Sequence, residues 1–129
     1  MPTIKWKKLG VASVSFLLAL FFFYAGGSKL ASPDAHMEAF LRWGYPGWFL
    51  YVTGLVEVAG AVLLLIPTVR FYGAALLACT MLGATFTHLR AGEMAAVPVP
   101  LVLLTFAGLI AWVNRPRRSS GTTTDRGQD

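Results

Sequence analysis

Apolar residues along this chain come in long blocks rather than in alternation. Residues 9–28 contain no Asp, Glu, Lys or Arg and are rich in Phe at their centre (Phe16, Phe21, Phe22, Phe23). Between Arg42 and Arg70 the single charged side chain is Glu57, and Pro67 closes that run. Residues 71–89 carry only His88 as an ionisable group of the Asp, Glu, Lys, Arg and His set, and residues 94–114 carry none. A helix needs about 20 mostly apolar residues to cross the hydrocarbon core. Backbone groups in lipid must be satisfied within the segment, which forces helices. The runs are too long and too weakly alternating for a β-barrel. The pattern predicts an all-α, integral membrane four-helix bundle over residues 1–114, with spans at about 9–30, 48–66, 71–89 and 97–114. Pro98 and Pro100 fall in the first turns of the fourth span, where a missing N–H costs little. The Ser/Thr/Gly-rich stretch after it, residues 115–129, predicts a disordered basic and polar tail.

The first connection is the only long one. Ser32, Pro33 and Asp34 read as an N-cap, a first helical position and a dipole-matched acid, so a short interfacial helix is expected between spans one and two. Met37, Phe40, Leu41 and Gly44 follow helical spacing on one side of it. Trp43, Tyr45 and Trp48 are expected at the membrane–water boundary. His36 is expected on the helix surface.

Composition agrees with lipid as the solvent. Apolar residues make up 56% and charged residues 13% of the 129, against roughly 25% charged in a soluble domain. The net charge of +5 does not point to nucleic acid, because the basic residues flank apolar spans instead of lining a polar face. Lys5, Lys7, Lys8, Arg70, Arg115, Arg117 and Arg118 fall on one side of a four-span chain; Lys29, Arg42 and Arg90 fall on the other. The positive-inside rule then predicts a multi-pass cell-membrane protein with both termini cytoplasmic. The first span exceeds the ~7–15 apolar residues of a signal peptide, so it is expected to stay. Cys79 is the single cysteine, which excludes an intrachain disulfide shuttle and reads as a small buried hydrophobe.

Chemistry is concentrated in three groups, Lys29, Glu57 and His88. An ionisable side chain within a span costs about 2.5–3.5 kcal/mol on insertion scales, so it turns to a bundle interior or a wet cavity. Helical neighbours of Glu57 are Thr53, Gly54, Gly60 and Ala61, all small. Small residues let helices approach closely in membranes, which places Glu57 on a packing face, roughly 13 Å below the outer end of its span. His88 follows Ala84 and Thr85, and Lys29 follows Ala25 and Gly26. Lys29 can reach inward to Glu57 or outward to the headgroups. These residues, with Tyr24 and Thr85 as hydrogen-bonding partners, form a candidate ligand or proton site open to the outer face. The alternative is that they only pin the helices together. No metal-ligand spacing, catalytic triad or phosphate loop is recognisable, so no catalytic residue and no metal are assigned.

The end of the first span, Phe23-Tyr24-Ala25-Gly26-Gly27-Ser28-Lys29-Leu30, resembles the phenylalanine, glycine and Lys-Leu signature of DoxX-like membrane proteins. Gly44-Tyr45-Pro46, then Gly54, Glu57 and Gly60-Ala61, resemble that family's second span, and Gly83-Ala84 with Thr87-His88-Leu89 the end of its third. The resemblance implies a four-helix membrane bundle and an association with membrane redox systems, the family being named for a small subunit of a thiosulfate:quinone oxidoreductase. Lys29, Glu57 and His88 match its polar positions. On this basis the expected function is a non-catalytic accessory or anchoring subunit of a membrane redox complex, with quinone as the implied ligand and oxidoreductase subunits or a second copy as partners. A small-solute or proton-linked carrier working through Glu57 is the alternative, and a stand-alone enzyme ranks last.

Overall fold

The computed structural model of the protein describes residues 2–116, with side chains from Lys5 onward. Most of the polar tail expected over 115–129 therefore lies outside the described residues. The described chain is all helical: α1 (Pro2–Ala31), α2 (Asp34–Arg42), α3 (Gly47–Leu65), α4 (Arg70–Arg90) and α5 (Pro98–Val113), with a 3-10 turn at Met94–Ala96 before α5. α1, α3, α4 and the turn-plus-α5 unit are each long and apolar enough to cross a membrane. α2 is the short helix between the first two. α1 begins earlier than the apolar block, because Lys5, Trp6, Lys7 and Lys8 offer nothing that breaks a helix.

The start of α2 differs from expectation. Ser32 makes no side-chain cap; its N–H still bonds Ser28 O at 2.8 Å, as a continuation of α1. Pro33 has helical angles (φ −61°, ψ −31°), and the Met37 N–H bonds its carbonyl. The residue just before α2, Pro33, is thus helical rather than extended and supplies no side-chain cap.

Two glycine contacts set the packing. A Cβ at Gly26 would lie 2.7 Å from Gly54 O and 2.9 Å from Glu57 Cβ, so α1 and α3 touch backbone to backbone near the end opposite the termini. A Cβ at Gly73 would lie 2.8 Å from Gly60 O, so α3 and α4 touch at the terminus end. Gly54, Glu57, Gly60 and Ala61, expected to share a packing face, are all buried. The apolar core gathers Phe22, Leu64, Leu77, Met81, Ala107 and Ile110 between the four long helices. The opposite faces carry Phe16, Leu17, Leu55, Leu82, Phe86 and Leu109, all exposed. So large an apolar surface is stable only where lipid covers it. The protein is a multi-pass membrane protein.

Candidate functional site

At the end opposite the termini, all four long helices and α2 enclose a cavity of about 510 Å³. It exists because the close glycine contact between α3 and α4 lies at the other end of the bundle. Lys29 enters from the last turn of α1 and turns inward: its Nζ lies 3.1 Å from Oε2 of Glu57 and 3.4 Å from Ala25 O. Both side chains are largely buried, at 15% and 4% exposure. An ammonium has three donors, so one N–H of Lys29 remains for another partner. Glu57 is reached from α1 only because Gly26 and Gly54 leave no side chains between the two backbones.

His88 and His36 line the same cavity. His88 presents its ring edge-to-face against Trp43, with centroids 5.3 Å apart. Its Nδ1 is buried without a hydrogen-bond partner, 3.7 Å from Oε1 of Glu93. His36 Nε2 sits 2.9 Å from Ser28 Oγ. Burial first, and then the Lys29 charge, hold its pKa below the usual histidine value, which favours the neutral ring.

The segment after α2 closes the top of the cavity. Trp43 and Tyr45, expected with Trp48 at the membrane–water boundary, line the cavity, while Trp48 is exposed. The reason is a set of polar contacts with the α4–α5 connection. The Trp43 indole N–H donates to Glu93 Oε1, Arg42 donates to Glu93 Oε2 at 3.2 Å, and Arg90 donates to Trp43 O at 2.7 Å. Tyr45 Oη lies 2.6 Å from Thr87 Oγ1. Thr87 gives its own proton to Gly83 O, so the tyrosine is the donor. Glu93 is thereby held below the usual carboxylate range, chiefly by the Trp43 hydrogen bond, with desolvation opposing and Arg42 and His88 adding to the effect.

Of the five residues expected at the site, the structure brings Lys29, Glu57 and His88 to one cavity and leaves two elsewhere. Tyr24 is 78% exposed on the lipid side of α1 and is absent from the cavity wall. It follows Glu57's partner Lys29 in neither register nor face: five positions apart on a helix puts them well round the cylinder. Thr85 is buried, but its hydroxyl donates to Met81 O and it too is absent from the wall. Thr87, two positions on, lines the cavity instead, its hydroxyl bonded to Tyr45 and to Gly83 O. His36, expected on the surface, is half-buried. The available signal was its position four residues before Phe40, on the face that α2 buries.

The model of the DoxX-like family matches residues 13–110, most of the chain and every residue of the cavity wall. The chain belongs to the DoxX-like family. No curated protein and no solved structure matches it. In this DoxX-like protein, then, the polar positions of the family-matched segment surround one chamber walled by Phe22, Phe40, Trp43, Tyr45 and Phe49. The chamber offers flat apolar walls, an ammonium, two imidazoles and a carboxylate. It suits a ring-shaped molecule bearing hydrogen-bond acceptors.

Proposed function

We propose that this protein is a non-catalytic accessory subunit of a membrane oxidoreductase, and that its cavity holds a quinone. The observation that carries the reading is the convergence of aromatic walls and donors on one cavity within the apolar bundle. Its volume of about 510 Å³ lies in the ~300–1,000 Å³ range of small-molecule sites. A quinone ring stacks on aromatic faces and needs donors for two carbonyl oxygens. The spare N–H of Lys29 and a ring N–H of His88 are suited to that task. Membrane partition supplies the quinone from the bilayer itself. By this reading the cavity faces the outside, as the distribution of Lys and Arg suggests, and electrons are handled by a partner subunit or by the quinone.

A carrier working through Glu57 is the weaker reading. Its carboxylate is already engaged by Lys29 at 3.1 Å, and each turnover would have to break that pair.

The test is quinone binding by the full chain in lipid nanodiscs, followed by quenching of tryptophan emission. His88→Leu is expected to weaken binding about tenfold, the effect of one lost hydrogen bond at a half-buried group. Binding of equal strength in the wild type and the variant, or none in either, would refute the assignment.

A further inference from the structure

The cavity is not closed on all sides. On α4, Cys79, expected to be buried but exposed because it faces away from the core, and the exposed Gly83 belong to its wall, and on α3 so does Val52, which is 40% exposed. At helical spacing, Val52 and Val56 lie on the flank of α3 that carries Gly60 and Leu63, the side turned to α4. On α4, Gly83 lies about 80° round the helix from Gly73, and Cys79 about 40° further toward lipid, so the two form the outer lip of the cavity. The two helices touch at Gly60 and Gly73, where an added Cβ would collide. Near the cavity the opposite holds: a Cβ at Gly83 would meet nothing within 4 Å. The helices are joined at the terminus end and leave a side window at the other.

We infer that the cavity opens sideways into the bilayer between α3 and α4, and that its ligand is an amphipathic molecule whose ring sits inside and whose hydrocarbon tail leaves past Gly83 and Cys79. This rests on the quinone reading and narrows it to tailed quinones entering from lipid. The roof formed by Trp43, Tyr45 and Glu93 argues for side entry, because it covers the aqueous route with polar contacts. The gap between α1 and α5 also reaches the cavity, where Phe21, 42% exposed, and Leu103 present bulky side chains, whereas Gly83 has none.

The experiment compares two probes in nanodiscs, decylubiquinone and the same ring without a tail, at matched concentration in the bilayer. The wild type is expected to bind both. Gly83→Trp places a bulky side chain in the window and is expected to weaken the decyl compound at least about tenfold more than it weakens the tail-less ring. Bound decylubiquinone, and not the tail-less ring, is expected to slow alkylation of Cys79, the single cysteine, by a lipid-soluble maleimide. A wild type that binds only the tail-less ring overturns the window and leaves the quinone site standing. So does a Gly83→Trp chain that treats both probes as the wild type does. A decyl probe blocked by Val99→Trp rather than Gly83→Trp moves the exit to the α1–α5 gap and overturns it likewise. A wild type that binds neither probe removes the quinone reading and the window together.

Discussion

Lys29 and Glu57 are 28 positions apart and meet at 3.1 Å inside the bundle, joining α1 to α3 beside the close Gly26–Gly54 backbone contact. Burying either charge alone is far more costly than burying both. Lys29→Met or Glu57→Leu alone is therefore expected to destabilise the protein by about 3–5 kcal/mol. The double variant, which leaves no orphan charge, is expected to recover most of that loss. Thermal unfolding of the four chains in one detergent checks this. Single and double variants of equal stability would contradict the pairing.

Gly26 and Gly27 of α1 make a matched pair for a packing test. Gly26→Ala forces a Cβ to within 2.7 Å of Gly54 O, a backbone atom that cannot step aside. A loss of about 1–3 kcal/mol is expected, as for other overpacked contacts. Gly27→Ala meets nothing within 4 Å and is expected to stabilise the helix by up to about 1 kcal/mol. Both are read from the same unfolding curves. Equal effects at the two positions would mean that α1 and α3 do not cross where the structure places them.

Residues such as these show how far the sequence could be read. The four spans, the short helix between the first two and the small-residue face around Glu57 all follow from hydropathy and helical spacing. The inward turn of Lys29 does not, because a lysine at a span end can equally reach the headgroups. The contacts of Trp43 and Tyr45 with the cavity were not legible for a related reason. Aromatic residues after a span look the same whether they anchor in lipid or roof a cavity, and their partners, Glu93 and Thr87, are 50 and 42 positions away. The choice between Thr85 and Thr87 turns on helix rotation of less than a turn, finer than an apolar block specifies.

The roof is pH-sensitive in a direction that follows from Glu93. Its carboxyl is held below the usual range in the folded protein, mainly by the Trp43 N–H. A depressed value means that the contribution is fully present above the unfolded-state value of about 4.3 and is lost as pH falls through the folded one. Emission from a chain retaining Trp43 as its single tryptophan is expected to shift to the red as pH falls below the ordinary carboxylate range. Glu93→Gln is expected to show the shifted emission already at neutral pH. A flat pH response in the parent chain would mean that Glu93 does not hold the roof.

The central claim is that the cavity holds a quinone on behalf of a membrane oxidoreductase. Its most direct test is to purify the tagged protein from native membranes in mild detergent, then measure both extracted quinone and co-purifying polypeptides. The account predicts a stoichiometric quinone that His88→Leu largely removes, together with an oxidoreductase subunit at fixed ratio in both preparations. A pure preparation of this chain, with no quinone and no oxidoreductase subunit, would contradict it.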